Sequence, residues 1–423
     1  MAKRILLVGP TAFDDAETAH VVDDVVWTRF AAYDTSRPQD VDVVAVLDEA
    51  RRRFAPGDFD GVIGTHDYPA SLLAAAIGER LQTPSTTLAA MLRAQHKAAA
   101  RDVQRQVVPD LLPMGWVLAA RPSAAELRTL RYPLFARPAK SVTSLLARRV
   151  DDEADLKRYL QEAEHHLQEW VAPFNALWRH ASMHGTDATC VVLEDLLSGV
   201  QTTVEGYVQH GRATTLGVVD SVMFDGTQSF ARFDHPSTLP DDVTRRMREA
   251  SAKVAEAHQL ESTLFNVEWF YDDVTGQLSL IELNPRMSYQ FCDLFHDVDG
   301  VNTYGLQAQL ACGDNVTFTP GQGAFNVGIS FVLRYPHDRQ IATHPTQAQL
   351  DDVKAAFPDA RVHLFGKPGQ WLSELPQDAW RFRAGIVNVG GADLDDASRR
   401  CGRLLDGLDF SFVGDDPVWP PPV

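Results

Sequence analysis

Two stretches decide how this chain is read: Phe265-Asn266-Val267-Glu268-Trp269-Phe270 and Leu280-Ile281-Glu282-Leu283-Asn284-Pro285-Arg286. Both are apolar runs of strand character, and their connection carries turn residues, Asp272-Asp273 and Gly276. Side chains alternate faces along a strand, so Glu282 and Asn284 share a face. With the turn centred near Thr275, Glu268 lies opposite Glu282. Opposed Cβ atoms in a hairpin are about 4.5–5.5 Å apart, and like charges there repel. Two carboxylates among Val267, Trp269, Ile281 and Leu283 therefore call for a cation. Two acids and an amide oxygen form a hard donor set, suited to Mg2+ that keeps waters and meets substrate phosphates, with Mn2+ as the alternative ion. The competing reading is a solvated edge hairpin, but no lysine alternates with the acids to protect such an edge.

The rest of the chain supplies a setting for that hairpin. Its 423 residues exceed one ordinary core, so two or three domains are expected. Apolar residues make up 45% and charged residues 23%, which places the chain among globular proteins. A formal net charge of -18 repels phosphate backbones and speaks against nucleic acid as the main partner. Cys190, Cys292, Cys312 and Cys401 form no CxxC pair, so they read as free thiols in a reducing compartment. The apolar run at Ile5–Val8 is too short for a signal peptide, and no stretch is long enough to span a membrane. A cytoplasmic protein is expected.

Residues 1–115 alternate strand and helix signals, with strand candidates at Ile5–Val8, Val41–Leu47 and Gly61–Gly64 and a helix over Pro69–Leu81. This predicts a Rossmann-like α/β domain. An α+β region follows over 116–319, in which Thr202–Val208 and Thr214–Val219 pair about His210-Gly211. A further α+β section, 320–423, has strands at Val327–Leu333 and Gly385–Val389, a helix over Asp393–Leu408 and a Pro-rich tail at 417–423. Trp170, Phe174 and Trp178 recur at helical spacing and read as core, and His165-His166 reads as a solvated face. Gly321-Gln322-Gly323 reads as a loop. No GxxxxGK[ST] string and no GxGxxG after Val8 is present, which argues against a P-loop enzyme and a dinucleotide oxidoreductase.

The string Ile281-Glu282-Leu283-Asn284-Pro285-Arg286, with Asn266-Val267-Glu268 one strand earlier, resembles the metal-binding end of ATP-grasp ligases. That family includes biotin carboxylase, D-alanine–D-alanine ligase and the L-amino-acid ligases. The resemblance covers roughly residues 1–320. It implies an ATP-grasp fold: a pre-ATP-grasp domain (1–115), a lid subdomain (about 130–193), a metal-binding subdomain (about 194–319), and the C-terminal section. It implies Mg2+ on Glu268, Glu282 and Asn284, and ATP phosphates on Lys97 and on Arg137, which stands where the family carries a second lysine. The glycine-free loop Lys140–Ser144 departs from the family, leaving Lys140 and Ser144 as side-chain donors. The segment Glu194-Asp195-Leu196-Leu197 resembles the linker that holds adenine, and Gln201 stands where a ribose-binding glutamate is common. Arg286 would stabilise the transferring phosphoryl group, as catalytic partner of Arg137. Glu205, Asp220, Arg232 and Arg334 are candidates for contacting the substrate.

The implied activity is a carboxylate–amine ligase: ATP phosphorylates a carboxylate, and an amine or thiol displaces phosphate. The small-molecule carboxylate and amine are the expected partners, with a homodimer as the default assembly. A bicarbonate-activating enzyme and a catalytically weak ATP-binding regulatory protein are the alternatives.

Overall fold

The computed structural model describes residues 2–18, 21, 25–35, 37–119, 122–141, 146–375, 377 and 381–414. The first apolar run becomes strand β1 (Lys3–Val8), whose last four residues are fully buried. Parallel strands β2 (Val25–Phe30) and β3 (Gly61–Ile63) flank it in the order β2-β1-β3. Gly9 ends β1 at φ 60°, where a Cβ would meet the Tyr33 hydroxyl at 2.0 Å.

One expectation fails here. Val41–Leu47 is no strand: Asp42 accepts from the Ala45 amide and starts the helix Val43–Arg53, with Val43, Val46 and Ala50 on its buried stripe. The strand beside β1 is Val25–Phe30, interrupted in hydropathy by Thr28 and Arg29. The helix expected over Pro69–Leu81 forms over Leu72–Leu81, after a tight turn at Asp67–Ser71.

A four-stranded sheet follows, from β4 (Gly115–Leu118), β5 (Leu134–Pro138), β6 (Arg148–Val150) and β7 (Val191–Asp195), in the order β4-β7-β5-β6. The helices Glu153–Trp170 and Ala172–His180 accompany it. Phe174 stacks on Trp178 with ring centroids 6.0 Å apart, both buried, as the aromatic spacing predicts.

The largest sheet has eight strands. Its members are β8 (Val200–Gln209), β9 (Arg212–Met223), β10 (Phe230–His235), β11 (Thr263–Asp272), β12 (Gln277–Asn284), β13 (Val327–Tyr335), β15 (Arg361–Leu364) and β16 (Phe382–Gly391). A two-stranded ribbon pairs β14 (Ile341–Thr343) with β17 (Ser411–Phe412). The order β12-β11-β8-β9-β10-β13-β16-β15 puts strands from beyond Pro320 into the same sheet as the hairpin. The β10–β13 ladder joins the two parts, from Arg232↔Phe331 to His235↔Gly328.

Helices Asp241–Ala257 and Leu394–Asp406 pack on this sheet, burying Val243, Met247 and Val254 in one cluster and Ala397, Cys401 and Leu404 in another. Helix Thr303–Ala311 returns to the first sheet, where Ala308 and Ala311 pack on Ile5, Leu7 and Ile63. All four cysteines are free, three of them buried. No helix among the described residues is long and apolar enough to cross a membrane.

Candidate functional site

Strands β11 and β12 form an antiparallel hairpin in which Glu268 faces Glu282 and Asn266 faces Asn284. The turn is centred one half-step earlier than Thr275, because Asp272 pairs with Gln277 and Trp269 with Leu280. A β-bulge between Glu268 and Trp269 adds one residue to β12 and moves Glu282 into register with Glu268. Without it, Glu268 would face Ile281. On the other side of β11, Glu268 pairs with Thr203 and Asn266 with Glu205, so the polar row crosses three strands. Asn284 Nδ2 donates to Glu268 Oε1 at 3.1 Å and to Asn266 Oδ1 at 3.0 Å. Gln201 Nε2 donates to Glu268 Oε2 at 3.2 Å.

Cations from two other elements converge on these acids. Lys97 opens the helix Lys97–Val107, started by the His96 side chain accepting from the Ala99 amide. Its Nζ lies 3.1 Å from Glu282 Oε2. Arg137, on β5, places Nη1 3.5 Å from the same oxygen and Nη2 2.6 Å from Glu194 Oε2. Arg101, one turn after Lys97, meets the other Glu194 oxygen at 2.6 Å and donates to the carbonyls of Leu280 (3.1 Å) and Ile281 (2.7 Å). Arg137 also donates to the Ile281 carbonyl, at 3.0 Å. The bulge thus turns this carbonyl toward two guanidinium groups. Lys140 closes the group, bonding Asp67 Oδ1 at 3.2 Å and Gln95 Oε1 at 3.0 Å. Lys97, Arg101, Arg137, Lys140, Glu282 and Asn284 line a common cavity.

The two facing acids are driven apart electrostatically. Burial and repulsion from Glu282 push the Glu268 carboxyl up. Burial would also raise Glu282, but Lys97 and Arg137 hold it well below the usual range. Burial likewise opposes ionisation of Glu194 and Asp67. Arg137 and Arg101 hold Glu194 down, and Lys140 and Arg286 do the same for Asp67. Burial lifts Glu205 to about 7, against a hydrogen bond from Ser288 Oγ. Asn266 Nδ2 ties the row to the segment after the hairpin, donating to Ser288 Oγ at 3.0 Å and to the Arg286 carbonyl at 3.2 Å.

The donor chemistry around Glu268 fits a hard divalent ion. Two opposed carboxylates and a neighbouring amide offer oxygen ligands, and the upward push on Glu268 is the imbalance a cation would relieve. Three or more His, Cys, Asp or Glu side chains grouped as a metal cage are not found among the described residues, so such an ion would depend on water and phosphate for its other ligands.

The remaining predicted residues are placed as follows. Asp195 is exposed, with its amide bonded to the Met114 carbonyl at 2.9 Å, and Leu197 is half-buried in the linker to β8. Glu194 directs its side chain into the guanidinium pair. Ser144 lies outside the described residues. Asp220 is not brought to the acids: it pairs with Thr202, whose hydroxyl meets Met247 on the opposite face, and it binds Ser237 and the Thr238 amide ahead of helix Asp241–Ala257. Arg232 bonds Asp234, which pairs with Asp220, so it shares that opposite face. Arg334 donates to the Phe230 and Arg381 carbonyls at 3.0 and 3.1 Å, where β10, β13 and β16 meet. Sequence reasoning missed Arg101, Asp67 and Gln95. The spacing of Arg101 from Lys97, i to i+4, was the available signal, since it sets both side chains on one helix face.

The fold and the arrangement of these residues resemble those of ATP-grasp proteins. Residues 130–293 match the family model described as an ATP-grasp domain. A D-alanine–D-alanine ligase of Kineococcus radiotolerans is 30% identical over 171 residues, 39% of this chain and 42% of that protein, so the match spans less than half of the relative. The L-amino acid ligase from Bacillus licheniformis superposes with TM-score 0.71 at 17% identity, covering 98% of this chain and 99% of that one. A biotin carboxylase–β,γ-ATP complex from Campylobacter jejuni gives TM-score 0.68 at 15% identity, over 97% of this chain and 92% of that one. At these identities, the two solved structures establish the fold.

Proposed function

We propose that this protein is an ATP-dependent ligase that activates a small-molecule carboxylate as an acyl phosphate and passes the acyl group to an amine. The observation that carries this reading is the convergence of Lys97 and Arg137 on Glu282, opposite Glu268, with Arg101 and Lys140 lining the same cavity. Four cations around two paired acids suit a polyphosphate bridged by a divalent ion. Glu268, Glu282 and Asn284 would hold Mg2+, which neutralises phosphate charge when bound. Lys97 and Arg137 exchange their contacts with Glu282 for phosphate oxygens. Arg286 contacts the phosphoryl group during transfer, and its planar five-donor head matches three equatorial oxygens. The linker at Asp195–Leu197 takes the adenine, and Gln201 reaches the ribose. The similarity to a D-alanine–D-alanine ligase and to an L-amino acid ligase supports amino acids as the carboxylate and the amine.

The test is ADP release from purified protein with Mg·ATP and amino acids offered in pairs. Wild type releases ADP with at least one pair, and Glu282→Gln does not, while keeping its circular-dichroism spectrum. Full turnover in Glu282→Gln would end the assignment.

A further inference from the structure

Acyl transfer to an amine needs a group that takes a proton, because an ammonium has no lone pair with which to attack. The phosphate-side residues are cations and cannot serve. A different pair of side chains, used by nothing above, has the required form. His66 follows β3 and immediately precedes Asp67, which bonds Lys140 at the edge of the cavity. Its ring lies 4.9 Å from that of Tyr289, three residues beyond Arg286, and its side chain is 25% exposed.

His66 Nε2 meets Thr11 Oγ1 at 2.9 Å and Asp14 Oδ2 at 3.1 Å. Asp14 is wholly buried and is committed to this contact by every other bond it makes. Its Oδ1 accepts from Thr65 Oγ1 at 2.6 Å and from Tyr304 OH at 2.8 Å. Its Oδ2 accepts from the Thr11 amide at 2.7 Å and from Thr11 Oγ1 at 2.9 Å. Those donors hold the carboxylate ionised at about 2, against the upward pull of burial, with His66 contributing most. An ionised carboxylate on Nε2 puts the ring proton there and leaves the lone pair on Nδ1. The same logic orients the histidine of hydrolytic triads.

On the reading that the chain joins a carboxylate to an amine, we propose that His66 is the general base of the second half-reaction, with Asp14 as its positioning residue. The amine proton passes to Nδ1. The amine lone pair forms the C–N bond, the acyl C–O bond to phosphate breaks, and phosphate leaves with that electron pair and takes up the nitrogen's second proton. The imidazolium then returns its proton to water.

The experiment uses two nucleophiles. Hydroxylamine is neutral near pH 7, needs no base, and traps an acyl phosphate as a hydroxamate. An amino-acid ammonium does need one. For His66→Gln, hydroxamate formation from a wild-type substrate should stay within about threefold of wild type, while amide formation with an amino-acid acceptor falls about 10²–10³-fold. Asp14→Asn should show the same split, because an amide donor facing Nε2 drives the proton to Nδ1. Equal loss with both nucleophiles, or no loss with either, in His66→Gln would overturn the role, as would the split arising in Glu205→Gln instead. Absence of hydroxamate with the wild-type protein would instead refute the acyl-phosphate reading itself.

Discussion

At the scale of single residues, the buried acids fall into two kinds. Asp14 and Glu194 are surrounded by donors, whereas Glu268 faces another acid. Asp14 has a folded value of about 2 against an ordinary 3.8, so its contribution to stability is complete above pH 4 and is lost as pH falls through 2. The shift corresponds to about 2 kcal/mol. Asp14→Asn should therefore be less stable than wild type by about 2 kcal/mol at pH 7, and the gap should narrow between pH 4 and pH 2 in urea unfolding. A constant gap across that range would show that the carboxylate is not held ionised. The facing acids were legible in the sequence because Val267, Trp269, Ile281 and Leu283 surround them with apolar side chains. Asp14 and His66 were not, since they are 52 residues apart and nothing local announces a buried acid in a short helix.

At the scale of elements, Arg101 holds three pieces together: the helix that begins with Lys97, the end of β7 through Glu194, and β12 through the Leu280 and Ile281 carbonyls. Removing one partner of a buried ion pair leaves the other charge uncompensated, at a cost of about 3–5 kcal/mol. Arg101→Met should lose that much in denaturant unfolding and should bind Mg·ATP at least tenfold more weakly by calorimetry. Stability equal to wild type would show that Glu194 is satisfied by Arg137 alone. The hairpin itself was legible from alternation and turn residues, but the bulge was not, because no residue type marks it. The expected facing of Glu268 and Glu282 came from a turn centred near Thr275, and the structure reaches it through the bulge. Val41–Leu47 misled for a related reason. Val43, Val44 and Val46 favour a strand, but the Asp42 cap and the buried spacing of Val43, Val46 and Ala50 favour a helix, and packing decided for the helix.

At the scale of the whole molecule, the eight-stranded sheet makes the section after Pro320 structural for the hairpin's own subdomain. Strand β13 covers the edge of β10, and Gln290 and Asp293 bond Ser330 and Asn388 across the junction. A chain ended at residue 319 would expose that edge and strip helix Cys292–Asp299 of one wall. It should elute as aggregate in size-exclusion chromatography. A monodisperse truncated chain with native-like circular dichroism would contradict this. The joining of strands so distant in sequence was not legible, since ladder partners leave no mark on hydropathy.

The bulge has one more consequence. The phase of the two acids is set beside them, between Glu268 and Trp269, and not at the tip of the hairpin, where Val274 projects into solvent. The tip at Val274 and Thr275 is therefore decoupled from that alignment, while Asp272 stays tied to the linker by accepting from Ser198 Oγ at 2.8 Å. The tip can receive a longer loop, an affinity tag or a fluorophore without disturbing the alignment of Glu268 with Glu282, and offers a port through which the protein can be tethered or observed.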